Sequence, residues 1–408
     1  MKTKTIIIYT FQSLQDPLVK GLMLQYLMGL KMTGSTFKFQ LITHEQKEFE
    51  LTTSEIAAKK IELFTHNIQW RPVKYRSGSF LLLKKLFNFL QTFFIVLSVK
   101  LKNNPVAIMG FLSISGGYSY ILSKLFHLKL IVYCFEPHSN YMIDFNLWSK
   151  TALKYKLLHR FEKLQLRHAH YIVVPNTFTK ALVEQENKTV KIHVCPISID
   201  TSQIVFNSAA REKIRRNINA ENKTVVIYTG KFGGIYYASD VVIEFFYELY
   251  QADSKLFFYI ITPNIEEVKQ SISKFNLPES SYFISLTVEY TKLNEHVSAA
   301  DIGFVALPSL PSQKYRTPVK TAIYLSCGIP YIINKNVGDD DIIAIHENIG
   351  IVIDSLEENP TQIVKRITHL LNTNPSDLKI RCRNHALNYR STDTATSILN
   401  KIFSEIIN

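Results

Sequence analysis

Short apolar runs, nearly unbroken by polar residues, recur along the chain with helix-spaced segments between them. In the first half they fall at residues 5–9, 39–43, 106–109, 130–133, 171–174 and 192–194. In the second half they fall at 224–228, 257–261, 283–286, 302–306, 331–333 and 350–353. Runs of this length, rich in β-branched and aromatic residues and without alternation, are strands buried on both faces, so they belong to parallel sheets covered by helices. Helical spacing at 241–251 and 318–327, among others, supplies the covering helices and makes the pattern a series of βα repeats. A polar stretch at 198–223 separates two sets of about six strands. The predicted fold class is α/β, with two doubly wound Rossmann-like domains of similar size facing each other across a cleft. Their expected bounds are residues 1–200 and 201–384, with a helix at 385–408 packing across both. Ligands of such sheets bind beyond the carboxyl ends of the strands.

Composition narrows the class. Hydrophobic residues make up 46% and charged residues 20%, with 14 glycines and 14 prolines in 408 residues, which excludes a disordered or collagen-like chain. Cys134, Cys195, Cys327 and Cys382 are scattered, with no C-x-x-C pair. That argues against a zinc site or a disulfide framework and fits a reducing compartment. No G-x-G-x-x-G opens a helix after the first strand and no G-x-x-x-x-G-K-[ST] occurs, which disfavours dinucleotide dehydrogenases and P-loop NTPases.

Charge separates the two halves. Residues 1–200 carry 26 Lys and Arg against 12 Asp and Glu, a balance of +14; the remainder carries 21 against 22. The first half is therefore drawn to something anionic: nucleic acid, a lipid surface or a phosphorylated substrate. Between residues 71 and 102, Arg71, Lys74, Arg76, Lys84, Lys85, Lys100 and Lys102 flank Phe80, Phe87, Phe89, Phe93 and Phe94. This reads equally as a helix on an anionic membrane surface or as an apolar core helix with a basic rim. A second basic stretch, 150–167, reads as a solvated helix face. The longest uncharged apolar run, 86–99, is shorter than the ~20 residues a spanning helix needs. Residues 5–9 read as a buried strand rather than a signal peptide. The expected location is the cytoplasm, possible contact being peripheral, on the inner face of the cell membrane.

Two segments carry candidate chemistry. The first is residues 308–333, PSLPSQKYRTPVKTAIYLSCGIPYII. A strand ends, a Pro/Ser loop follows, a helix begins near Pro318, and Gly328 ends it. A helix N-terminus at the carboxyl end of a strand favours an anion. Lys314, Arg316 and Lys320 gather at that end, which suits a diphosphate; the alternative is an ordinary basic connection. The second segment is YTGKFGGIYY, residues 228–237, where Gly230, Gly233 and Gly234 allow close backbone approach and Lys231 can meet the same phosphates.

These motifs resemble the retaining glycosyltransferases of the GT-B fold, of the large family-four type that builds bacterial surface polysaccharides such as lipopolysaccharide and capsule. The resemblance spans nearly the whole chain. RTPVKTAIYLSCGIPYI is similar to the segment that binds the nucleotide-sugar donor, and VVIYTGKFGG is similar to the first strand and phosphate loop of the second domain. Ala299-Ala300-Asp301-Ile302-Gly303 looks like the family's usual strand. IVYCFEPHSNYMIDFNLW resembles the strand and loop carrying an active-site histidine, and Glu162 with YIVVPNTFTKAL resembles the end of the first domain. One position departs from the family: its helix normally bears a glutamate that holds the donor ribose, and Ile323 stands there.

The resemblance implies an enzyme that moves a sugar with retention from a nucleotide-sugar donor to a glycan acceptor, expected to be lipid-linked. The donor-binding candidates are Gly230, Lys231, Gly233, Thr287, Val288, Arg316, Lys320 and Thr321, with Thr287 and Val288 placed near the base. Lys231, Arg316 and Lys320 would stabilise the leaving diphosphate. His138 would orient a sugar hydroxyl or the acceptor, and Glu136 would share that work. No metal or cofactor is expected; Asp339-Asp340-Asp341 reads as a polar loop. The rivals are an inactive GT-B scaffold, for which Ile323 speaks, a sugar-nucleotide epimerase on the same fold, and a nucleic-acid-binding protein. The last is disfavoured because no reading module is recognisable, so no nucleic-acid partner is expected.

Overall fold

The computed structural model describes residues 4–32, 37–76, 81–134, 136–234 and 236–407. Phe80, Phe135 and Ile235, which fall in stretches named above, lie outside the described residues. The chain forms two compact units, residues 1–196 with 392–408, and residues 197–391. Each is built on one parallel sheet.

The first unit has seven strands: β1 (Lys4–Tyr9), β2 (Phe37–Glu45), β3 (Ile68–Lys74), β4 (Ala107–Phe111), β5 (Lys129–Tyr133), β6 (Tyr171–Val174) and β7 (Lys191–Val194). Their order is β3-β2-β1-β4-β5-β6-β7. The second has six: β8 (Thr224–Thr229), β9 (Leu256–Ile261), β10 (Tyr282–Ser285), β11 (Ile302–Val305), β12 (Tyr331–Asn334) and β13 (Gly350–Ile353). Their order is β10-β9-β8-β11-β12-β13. This is the expected doubly wound α/β fold in both halves. In each sheet the chain builds outward from its first strand, then returns to build on the other side. The reversal falls between β1 and β4, where Ile8 pairs with Met109, and between β8 and β11, where Gly303 pairs with Ile227. Loops leaving two such strands diverge and open a crevice beyond their carboxyl ends.

Strand β3 has no counterpart among the apolar runs of the sequence. It is the sheet edge, it alternates between buried and exposed positions, and it contains Pro72. An edge strand tolerates proline because one side of its backbone needs no ladder partner. Part of the basic stretch 71–102 is therefore strand, and the helix begins at Leu81. The polar stretch 198–223 contains the helix Ser208–Asn217, capped by the Asn207 side chain. The segment 385–408 holds the end of the helix Pro375–Tyr389 and the whole of the helix Thr392–Ile407, and the second packs into the first unit. There the Thr396 hydroxyl donates to the Tyr26 carbonyl at 3.3 Å and Lys129 donates to the Ile406 carbonyl at 2.7 Å.

The core of the second unit centres on Val225–Tyr228 of β8, whose side chains are fully buried. Phe246 stacks on Phe258 with centroids 4.3 Å apart, and Phe245 and Phe246 both meet Phe304. Each such aromatic contributes roughly 1.5–3 kcal/mol by leaving water. All four cysteines are unpaired and buried. Burial pushes their thiols up, to about 12 for Cys134, Cys327 and Cys382 and to about 11 for Cys195.

Candidate functional site

In the second unit the reversal between β8 and β11 brings together both motifs singled out in the sequence. Gly303 in β11 explains how. A Cβ there would lie 2.2 Å from the Tyr324 ring, so only glycine lets the helix Val319–Ser326 sit this close to the sheet. The Tyr324 hydroxyl lies 3.3 Å from the Thr229 hydroxyl of β8 and donates to the Phe304 carbonyl at 3.4 Å. These contacts set the helix against the end of β8. Lys320, in its first turn, is thereby held at the Gly230 turn.

Gly230 has φ +141°, and Gly233 and Gly234 have φ +72° and +64°, which glycine adopts without strain. A Cβ on Gly230 would lie 2.8 Å from the Lys320 ammonium. That ammonium sits 4.2 Å from the centre of the Tyr228 ring and 5.2 Å from that of Tyr236. The Tyr228 hydroxyl donates to the Lys231 carbonyl at 2.5 Å and fixes the turn. The Lys320 Nζ is shut off from solvent and has no hydrogen-bond partner among the described residues. Burial lowers its pKa to about 7. Two tyrosine faces stabilise a cation there but supply no acceptor for its N–H donors. An anion entering beside Gly230 would complete the set.

The other expected donor residues are placed as follows. Lys231 is exposed on the Gly230 turn. Arg316 is half-buried on the segment that leads from Pro311–Tyr315 into the helix. Thr287 is exposed and Val288 half-buried on the loop after β10, two strands and thus about 10 Å along the sheet from β8. Thr321 faces inward instead. Its hydroxyl lies 2.7 Å from the Pro318 carbonyl and 2.7 Å from Asp340, and Arg390 donates to it at 3.0 Å. Buried Arg390 also donates to the Pro318 carbonyl and pairs with Asp340 at 3.0 Å, tying down the start of the helix. Ile323 packs in the core. Asp341 accepts from the backbone N–H of Asn336 and of Ile342. Among the described residues no three His, Cys, Asp or Glu side chains converge in a way that could hold a metal ion.

In the first unit His138 opens the short helix His138–Asp144 just after β5. Its ring stacks on Tyr141, with centroids 5.9 Å apart, and meets Trp148 edge-on at 6.1 Å. Glu136 is half-buried two residues earlier, and its carbonyl accepts from the Ser113 hydroxyl at 2.8 Å. Sequence reasoning did not single out Tyr228 and Tyr236 as site residues. Both fall inside the Gly-rich motif, but nothing in the sequence aims their rings at a lysine more than eighty residues away.

A family described as glucosyltransferase 3-like, C-terminal domain, matches residues 310–373, which span the loop, the helix Val319–Ser326, β12 and β13. No curated protein matches the chain. Solved structures match over its whole length. HepE of Anabaena in complex with UDP is 13% identical, covers 98% of this chain and 100% of its own, and has a TM-score of 0.70. Sucrose-phosphate synthase of Thermosynechococcus elongatus is 13% identical, with coverage of 100% and 99% and a TM-score of 0.72. A glycosyltransferase from Rickettsia africae is 14% identical, with both chains fully covered and a TM-score of 0.70. The chain shares the GT-B fold of these proteins.

Proposed function

We propose that this protein is a glycosyltransferase that takes a sugar, with retention, from a nucleotide-sugar donor. The observation that carries this reading is the Lys320 ammonium, buried between two tyrosines, without a hydrogen-bond partner among the described residues, against a glycine turn at the sheet reversal. A diphosphate supplies the missing acceptors. The likeness to HepE in complex with UDP supports a nucleotide diphosphate there. Lys320, with Arg316 and Lys231 from the flanking segments, stabilises the charge that grows on the leaving diphosphate, a large catalytic term when the cations are fixed in advance. With side-chain cations in that role the reaction needs no metal. Gly230 and Gly233 line the phosphates, Thr287 and Val288 the base, and Thr321 holds the helix in place through Arg390. His138, with Glu136 beside it, orients a sugar hydroxyl or the acceptor.

The acceptor in this reading is a lipid-linked glycan of surface polysaccharide synthesis, reached at the cytoplasmic face of a membrane. The helix Leu81–Asn103 supports a membrane surface. Its Asn88 and Thr92 are fully buried, whereas Leu83, Leu86, Phe87, Leu90 and Phe94 are 43–65% exposed. Water is a poor solvent for such a face. No acidic residue occurs between Glu62 and Glu136, where nine Lys and Arg do. Apolar side chains bordered by cations suit an anionic bilayer interface. No helix among the described residues is long and apolar enough to cross a membrane.

The test is turnover of a panel of nucleotide sugars with lipid-linked acceptors supplied. The reading requires transfer that Lys320→Met slows by about 100-fold or more; a variant with full activity removes the site. An inactive scaffold is the second reading, favoured by Ile323, which cannot accept hydrogen bonds from ribose. Calorimetry decides it: no heat with any nucleoside diphosphate supports the scaffold.

A further inference from the structure

The helix that begins with His138 lacks a cap of its own. Pro137 occupies its N-cap position and makes no side-chain hydrogen bond. The first N–H groups of a helix have no partner within it and need one from outside. Here the partner comes from another helix. Glu162 of the helix Leu153–His168 is buried, and its carboxylate accepts from the backbone N–H of Ser139 at 3.1 Å. It also accepts from the Ser139 hydroxyl and from the backbone N–H of His138. The Ser139 hydroxyl lies 3.1 Å from His159 Nδ1, one turn earlier on the same helix as Glu162. One carboxylate thus grips the backbone of the two residues that start the helix, at the residue from which the His138 ring projects.

We infer that Glu162 is a positioning residue for His138: its carboxylate sets the start of the helix His138–Asp144 and so fixes where the His138 ring stands. This rests on the proposed role of His138 in sugar transfer. The grip is specific to a carboxylate. Two oxygens that only accept are needed for three converging N–H and O–H donors, and an amide would aim N–H groups at one of them. Burial drives the Glu162 pKa up to about 7 against the downward pull of the bonds from Ser139 and His138, and Glu136 adds to the rise. The groups that face it are Glu136 and Cys134 at the end of β5, His138, and His159 on its own helix. Glu186, on the packed helix Thr177–Glu186, is engaged by Lys163 and Arg167 instead. The titratable groups of the packed helix Ser113–Phe126 are engaged elsewhere: Tyr118 meets Tyr9, Phe11 and Phe89, Tyr120 stacks on His168, and Lys124 acts on His170.

The experiment has two arms. The first follows amide hydrogen exchange in the full chain and involves no substrate. In Glu162→Gln the amides of His138 and Ser139 should exchange at least tenfold faster than in the wild type, while those of Ile131 and Val132 in β5 stay protected. The second arm measures transfer. Glu162→Gln should lower kcat at least tenfold with donor KM within twofold, and should remove the limb near pH 7 from the kcat profile. Ser139→Ala, which deletes only the hydroxyl contact, should show the same pattern more weakly, and it carries the test if Glu162→Gln does not fold. Unchanged exchange at His138 and Ser139 overturns the grip. Faster exchange with wild-type kcat and pH profile overturns its role in positioning. A wild-type protein that neither binds a nucleoside diphosphate nor transfers sugar overturns the parent reading and the catalytic half of this one, and the exchange arm then reports on the grip alone.

Discussion

Lys320 and Glu162 are both ionisable groups withdrawn from water, each serving one of the two sheets, and burial brings both to about pH 7. Their surroundings differ in one respect. Glu162 is satisfied by three donors from its own chain. Lys320 has aromatic faces around it and, among the described residues, no acceptor for its protons. A buried polar group without a partner costs on the order of 1–3 kcal/mol, more when charged, so a fold that keeps one has a reason in what arrives later. On the proposed reading, the satisfied group holds a structure in place and the unsatisfied one awaits a ligand.

Removing the unsatisfied group should do the most damage to turnover. Lys320→Met should lower kcat/KM for the nucleotide sugar by about 100- to 1,000-fold, the range seen when one fixed electrostatic donor is lost from an active site. The same variant should melt no lower than the wild type, because it deletes a desolvated amine. A lower melting temperature with unchanged turnover would make Lys320 structural, and the contrast with Glu162 would vanish.

The next effect strikes the frame that presents the lysine. Arg390→Ala leaves Asp340 buried without its partner and frees Pro318. Loss of one partner of such a pair costs about 3–5 kcal/mol, which chemical denaturation would read. Gly303→Ala forces a methyl into the Tyr324 ring and should cost about 1–3 kcal/mol, with donor affinity falling as the helix is displaced.

Titration separates the two buried groups by the sign of their response to pH. In the empty protein the Lys320 amine titrates near 7, below the usual lysine value of 10.5. A diphosphate requires it protonated. Affinity should therefore be level below pH 7 and fall by up to tenfold per unit above it, with proton uptake visible by calorimetry in buffers of different ionisation enthalpy. Since the folded pKa is depressed, this group also makes the empty protein more stable as pH rises from 7 toward the unfolded value. Glu162 has the opposite sign: its folded pKa lies above 4.5, so its contribution to stability declines as pH rises through 7. Lys320→Met should flatten the first trend and leave the second.

The smallest effect concerns the helix Leu81–Asn103. Phe87→Ser with Phe94→Ser should weaken flotation with anionic vesicles several-fold and leave the melting temperature within a degree or two. Equal binding to neutral vesicles would remove the charge argument.

The sequence made the two sheets legible because fully buried strands leave apolar runs of their own length. β3 escaped because an edge strand alternates and can hold Pro72. The Gly-rich turn and the helix near Pro318 were legible as separate motifs, each by its local chemistry. Their meeting depends on Gly303 and Tyr324, twenty-one residues apart, and no local pattern announces that fit. Thr321 is adjacent to Lys320 in the chain, yet it faces Asp340 and Arg390 while Lys320 faces the turn, because neighbours on a helix point about 100° apart. Glu162 was legible as part of a resemblance, and its grip on Ser139 became visible only with the helices in place.

The buried cysteines have a practical consequence. With every thiol enclosed and its pKa at about 11 or 12, almost none is thiolate at neutral pH. Maleimide reagents should pass them by. A single cysteine introduced at the exposed Glu266, on the helix that follows Asn264 and its bond to Phe232 of the glycine turn, would then accept a fluorophore with every proposed binding residue intact, and occupancy of the turn could be followed by its emission.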